Sequence, residues 1–191
     1  RNPDLWMGSG GAPKRVSTFP GLNLGGVMSP SGGAIAVTLS KDGNSEIYTI
    51  DLGGNVKARL TNNRAIDGSP SWSPGGNQIA FVSNRAGSPQ VYRMSAGGGG
   101  AKRLTTKGNY NQTPDWNPGE GDGASWVAYA GRDASNRFDV FAVNVKSGKV
   151  KRLTQGGGRN TDPSWSPDGR LIAFSSSRGG VFVANEDGNN Q

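Results

Sequence analysis

Thr161 to Phe174 reads Thr-Asp-Pro-Ser-Trp-Ser-Pro-Asp-Gly-Arg-Leu-Ile-Ala-Phe. It joins an aromatic anchor, a tight turn and a short apolar run. Pro167 presets φ at the first corner of the turn, and Gly169 permits the positive φ needed at its exit. Weaker copies lie upstream. Ser69 to Phe81 reads Ser-Pro-Ser-Trp-Ser-Pro-Gly-Gly-Asn-Gln-Ile-Ala-Phe, Thr113 to Tyr129 carries an enlarged turn, and Gly25 to Val37 has Met28 where the others have tryptophan. One such unit cannot bury its own apolar face, so the copies must stack and share a core.

Between these segments runs a second couplet, a short aromatic-centred strand followed by a basic one. It pairs Asp4–Met7 with Lys14–Thr18, Glu46–Ile50 with Lys57–Thr61, Gln90–Met94 with Lys102–Thr105, and Asp139–Val143 with Lys151–Thr154; its first half returns at Val181–Ala184. Trp6, Tyr48, Tyr92, Phe141 and Phe182 hold the same place in each. The apolar runs Ile35–Val37, Ile79–Phe81, Val127–Tyr129 and Ile172–Phe174 all carry a central alanine, which points to close approach between adjacent sheets. Alternation with period two and glycine-rich breaks mark strands and hairpins.

Each repeat therefore holds four strands. Pro30, Pro74 and Pro118 are spaced 44 residues apart, and the step to Pro167 is lengthened by loop insertions. Four-stranded antiparallel units at this interval, without helical periodicity, predict an all-β fold, a β-propeller of four-stranded antiparallel blades. The expected division is a partial blade over 1–18, full blades over 19–61, 62–105 and 106–154, and a partial blade over 155–191. Opening and closing in mid-blade reads as four to five blades' worth of a larger ring. The alternative is that Lys14–Thr18 joins the last sheet and closes a small one. Open edges would invite self-association.

The chain has no histidine and no cysteine. Disulfides, thiolate chemistry, the Ser-His-Asp triad and the common transition-metal ligands are thereby excluded. Only carboxylate- or lysine-based catalysis would remain; the expectation is a protein that is not an enzyme and needs no cofactor. The 32 glycines fall at fixed offsets as turn residues instead of marking disorder. Net charge is +7, yet its basic pairs recur one repeat apart. That spacing spreads charge around a rim and reads as solvated, protected edge strands, not as a nucleic-acid groove. No apolar run is long enough to span a membrane, and no signal peptide is recognisable.

Two columns of side chains are candidates for partner binding. Asn23, Asp67, Asn111 and Asn160 each lie five residues before Met28 or a repeat tryptophan, in the loop joining one blade to the next. There they either accept a peptide backbone (or, more weakly, a hard cation) or cap their own loop. Lys41, Arg85, Arg132 (one position early) and Arg178 follow the second strand and emerge on the same face. They pair either with carboxylates of a partner or with the adjacent blade. Alanine at both Asp67 and Arg85 is expected to weaken docking and to leave thermal unfolding nearly unchanged. Trp72, Trp116 and Trp165 read as blade-to-blade core, and Gly97–Gly100 as a hairpin, since no Lys-Ser/Thr follows it.

Repeats of the form Asp-Pro-Ser-Trp-Ser-Pro-Asp-Gly-Arg-Leu-Ile-Ala-Phe closing on Lys-Arg-Leu-Thr resemble those of the TolB family. So do Leu39–Tyr48 and Ser83–Tyr92, and the likeness runs over nearly the whole chain. The resemblance implies a periplasmic protein of the Tol-Pal system of Gram-negative bacteria. Its six-bladed propeller would dock the peptidoglycan-associated lipoprotein Pal, with bacteriocin peptides as competitors, while a separate N-terminal domain meets TolA. The chain departs from the family in lacking that domain and in having too few blades. The repeat is shared with propellers of prolyl-oligopeptidase-like peptidases, so a gating propeller parted from its catalytic domain is the alternative. No Gly-x-Ser-x-Gly motif occurs in the 191 residues.

Overall fold

The repeat dictates the sheets. In the computed structural model, which describes residues 3–8 and 10–191, every sheet is antiparallel. β1 (Leu5–Met7) pairs with β2 (Lys14–Ser17). Blade 1 holds β3 (Asn23–Met28), β4 (Ile35–Leu39), β5 (Glu46–Ile50) and β6 (Val56–Arg59). Blade 2 holds β7 (Asp67–Trp72), β8 (Gln78–Ser83), β9 (Gln90–Ser95) and β10 (Lys102–Arg103). Blade 3 holds β11 (Asn111–Trp116), β12 (Trp126–Arg132), β13 (Phe138–Asn144) and β14 (Val150–Arg152). Blade 4 consists of β15 (Asn160–Trp165), β16 (Leu171–Ser176) and β17 (Gly180–Asn185). The architecture is the all-β propeller that the repeat predicts. β2 pairs with β1 and not with β17, so it does not complete blade 4.

The period of two along each second strand explains the central alanine. Ile35, Val37 and Leu39 face back onto the β1–β2 sheet, packing with Val16, Leu5 and Met7, whereas Ala36 faces forward. Ala36 packs with Ile79, Phe81 and Tyr92 of blade 2. Ala80 in turn meets Trp116, Val127 and Tyr129 of blade 3, and Ala128 meets Trp165, Ile172 and Phe174 of blade 4. Each core thus sits between two sheets, large residues from one against a small one from the other. Both faces of the middle strands β4, β5 and β12 are buried, whereas one face of β16 in blade 4 is open; burying one such Ile or Phe side chain stabilises by about 1.5–3 kcal/mol.

Close approach is built with glycine at the hairpin between third and fourth strands. A Cβ at Gly98, whose φ is +88°, would lie 2.9 Å from the carbonyl oxygen of Leu60 in the preceding blade. Gly54 and Gly188 take the same place against Val16 and Leu153. We predict that Gly98→Ala lowers unfolding free energy by about 1–2 kcal/mol, measured by urea denaturation, because left-handed backbone costs that much for an L-residue. A loss indistinguishable from zero would mean that the hairpin moves freely.

The basic fourth strands β6, β10 and β14 are the outer edges of their sheets and are exposed or half-exposed, as expected; their arginines also close the strand ends. The Nε–H of Arg59 donates to the carbonyl of Thr61 and that of Arg152 to Thr154, both at 3.0 Å, and Arg103 does the same to Thr105. The arginine folds over its own strand end because the chain turns there toward the next blade.

Candidate functional site

The inner strands converge at their N-terminal ends on one face. There the blade-joining loops meet the loops between second and third strands. Asn23 and Asn111 are 2% exposed, Asp67 and Asn160 0%. Their bonds run inward. Asn23 Oδ1 accepts from Ser17 Oγ at 2.6 Å and from the Phe19 amide at 3.1 Å, while its Nδ2 donates to the Phe19 carbonyl at 2.8 Å. Asn111 Nδ2 donates to Gln90 Oε1 at 2.8 Å and to the Lys107 carbonyl at 2.9 Å. Asn160 Nδ2 donates to Asp139 Oδ1 at 2.9 Å. Asp67 Oδ2 accepts from Asn63 Nδ2 at 2.8 Å and from Arg85 Nη2 at 2.9 Å. The column braces the loop from beneath instead of presenting polar atoms to a partner. Since Asp67 is wholly buried, the double alanine variant with Arg85 would disturb the fold; the expectation that it spares thermal unfolding does not hold.

A further ring of polar side chains was missed in the sequence: Glu46, Gln90 and Asp139, each at most 1% exposed. Thr105 Oγ1 donates to Gln90 and Thr154 Oγ1 to Asp139, both at 2.7 Å. The same threonines, with Thr61, accept from the amides of Ile47, Val91 and Val140 at 2.9–3.0 Å. In blades 1 to 3 the signal is a polar residue at or next to the start of the third strand and a threonine two residues past the fourth.

The cation column is brought together on this face, half-exposed, and rests on aromatic rings. Lys41 Nζ lies 5.2 Å from the Tyr48 ring and 2.8 Å from Asp42. That ammonium holds the Asp42 carboxyl below its ordinary value, and burial first, then Asp42, pushes the Tyr48 phenol up to about 12. Arg85 covers Phe81 and Tyr92 at 5.3 and 5.0 Å; Arg178 covers Phe174 and Phe182 at 5.9 and 3.9 Å. Arg132 stands apart, lying over Tyr110 and Phe138 at 4.9 and 5.1 Å.

What reaches solvent is the residue just ahead of the buried amide. Leu22 is 40% and Ile66 58% exposed, and Tyr110 and Arg159 occupy the matching places. Their backbones are fixed: the carbonyls of Leu22, Ile66, Tyr110 and Arg159 accept amides from the neighbouring loop at 3.0–3.3 Å. Two aliphatic groups, a phenol and a guanidinium are thus carried on fixed backbone positions beside the cations.

At the channel wall the inner strands are strained. Each has a register shift, at Leu24/Val27, Gly68/Ser71, Gln112/Asp115 and Thr161/Ser164. Gly25, Ser69, Thr113 and Asp162 sit there with φ of 64°, 52°, 47° and 53°. Trp72 Nε1 donates to the Val27 carbonyl at 3.1 Å and Trp165 Nε1 to the Asp115 carbonyl at 3.2 Å, stapling blade to blade. Trp116 differs, donating to Ala124 of its own blade at 2.8 Å.

Comparison with known proteins agrees with this geometry. TolB from Acinetobacter baumannii superposes with a TM-score of 0.79 and 31% identity, over 93% of this chain and 44% of its own. A protein assigned as TolB from Agrobacterium tumefaciens gives 0.76 and 28%, over 93% of this chain and 63% of its own. The chain therefore spans roughly half to two thirds of the length of these relatives. A chain of a nidogen/laminin complex, with a TM-score of 0.72 at 11% identity, shares the fold alone. The sequence profile of the TolB beta propeller domain matches residues 6–135, in agreement with the blade geometry and inter-blade staples, and the chain belongs to that family.

Proposed function

We propose that the chain is the propeller part of a non-enzymatic, periplasmic docking protein of the Tol-Pal type. Its loop face would hold Pal, in the service of cell-envelope integrity and division. The observation that carries this reading is the rim of Leu22, Ile66, Tyr110 and Arg159 beside Lys41, Arg85 and Arg178. Exposed apolar groups on a hydrogen-bonded backbone give a partner contact area at a lower ordering cost than a mobile loop would. The flanking cations suit a partner bearing carboxylates and speed its encounter. Asn23, Asp67, Asn111 and Asn160 serve as the scaffold that sets the rim's height. Family membership supports the partner class. Among the described residues no helix is long and apolar enough to cross a membrane.

Titration calorimetry with the periplasmic domain of Pal tests the face. Ile66→Asp is expected to weaken binding about tenfold or more, as for a central apolar contact. Its melting temperature should be unchanged, because the side chain is 58% exposed. Full affinity in both Ile66→Asp and Leu22→Asp would move the docking surface elsewhere.

A further inference from the structure

One blade breaks the pattern of cations over rings. Register sets Asn23 opposite Leu39, Asp67 opposite Ser83, Asn111 opposite Gly131 and Asn160 opposite Ser176. Two residues beyond these come Lys41, Arg85, Asp133 and Arg178. The cation of blade 3 is thus replaced by Asp133, and Arg132, one residue early, is turned aside onto Tyr110 and Phe138. The ring pair that would lie beneath it, Tyr129 and Phe141, is stacked at 5.7 Å with an interplanar angle of 20°. Arg152 covers Phe141 from the fourth strand at 5.6 Å, and no cation covers Tyr129 among the described residues.

Where the lid is missing there is a cavity of about 650 Å³, bounded by Tyr129, Phe141, Lys107, Arg132, Arg152 and Asp133. That volume suits a small molecule. Its polar groups are unspent. Tyr129 is 4% exposed, and its hydroxyl finds no hydrogen-bond partner among the described residues. Arg132 Nε is buried without a partner, and neither Arg132 nor Lys107 has a carboxylate within ion-pair distance among the described residues. Asp133 is already committed, accepting from Arg152 Nη2 at 2.9 Å and from the amides of Ser135 and Arg137 at 2.8 and 3.0 Å. Arg152 is spent on Asp133 and Asp139, which leaves the unpaired Lys107 and Arg132 to repel a cationic guest. The partly exposed ring of Phe141, beside the Tyr129 hydroxyl, favours an aromatic guest, and the unpaired Lys107 and Arg132 favour an anion.

We propose that this cavity binds a planar aromatic carboxylate, its ring against Phe141 and its carboxylate between Lys107 and Arg132. The site adjoins the rim through Tyr110, on which Arg132 rests, and its assignment does not depend on protein docking there. Titration of the chain with naphthalene-2-carboxylate tests the assignment. Saturable one-to-one binding is expected, weakened by salt. Naphthalene-2-carboxamide should bind about tenfold more weakly or worse, having lost the charge-assisted bonds. Lys107→Gln, an exposed position, should weaken the acid about as much and leave the amide unaffected, and Arg132→Gln should add to the loss. Tyr129→Phe keeps the stacked floor and should cost the acid only a few-fold. Equal affinity for acid and amide, indifference to Lys107→Gln, or no saturable binding in the unaltered chain would each overturn the proposal.

Discussion

Replacing Asp139 with alanine is expected to lower unfolding free energy by about 3 kcal/mol, because it leaves the two buried donors Thr154 Oγ1 and Asn160 Nδ2 without their acceptor. Asp139 is 1% exposed and joins three strands. One oxygen accepts from Thr154 Oγ1 on the chain leaving β14 and from Asn160 Nδ2 at the start of β15; the other pairs with Arg152. Alanine leaves Arg152 half-paired and strips Asn160 of its best acceptor at the junction of blades 3 and 4. The molecule contains its own control. In blade 2 the same place is held by Gln90, whose Oε1 accepts from Thr105 Oγ1 at 2.7 Å and Asn111 Nδ2 at 2.8 Å. Asp139→Gln can therefore reproduce the two neutral bonds, and its cost should be only about 1 kcal/mol, near one net hydrogen bond. Urea unfolding of both variants gives the comparison. Because repeat arrays lose stability locally, amide exchange in β15 to β17 should accelerate most in the alanine variant. Equal damage from Ala and Gln would show that the negative charge, not the bridging geometry, holds the junction.

The two kinds of column explain how much could be read in advance. Spacing of the Trp-Ser-Pro segments gave strands, blade period and the alternation that puts Ile79 and Phe81 on one face and Ala80 on the other. All of this follows from local chain geometry and the need to bury apolar area. Direction was the harder matter. Asn23, Asp67, Asn111 and Asn160 stood in register, but register alone does not say whether an amide points outward or under its loop. Full burial and the donors aimed at Gln90, Asp139 and Phe19 decide it. The exposed neighbours Leu22, Ile66, Tyr110 and Arg159 share no residue type, so no pattern marked them; what they share is a backbone position. Arg132 fell outside its column for a related reason. The spacing already set Arg132 one position early, but only the structure shows that this displacement beside Gly131 turns its side chain to Tyr110 and Phe138.

Asp115 is where the same physics predicts a signed pH effect. Its Oδ2 accepts the Trp165 amide of blade 4 at 2.8 Å and its Oδ1 the Ser71 hydroxyl of blade 2 at 3.2 Å, so one carboxylate links three blades at the channel wall. Asp115→Ala should cost about 3 kcal/mol, since it orphans the Trp165 amide and removes a charge-assisted bond. Burial, only partly offset by those bonds, raises the Asp115 carboxyl above its ordinary value of 3.8. A carboxyl raised on folding contributes its stability in full below the unfolded value and loses it as pH climbs through the folded one. Lowering pH from about 7 should therefore shift the stability difference between the unaltered chain and Asp115→Asn in favour of the unaltered chain, levelling off below the ordinary carboxylate range. Asp42, Asp51, Asp133, Asp168 and Asp187 are held low chiefly by hydrogen bonds, so their contributions are lost as pH falls below 3.8. They titrate alike in both proteins and cancel in the difference. A gap that stays constant with pH, or widens toward the asparagine variant on acidification, would show that the Ser71 and Trp165 donors outweigh burial and keep this carboxylate ionised throughout.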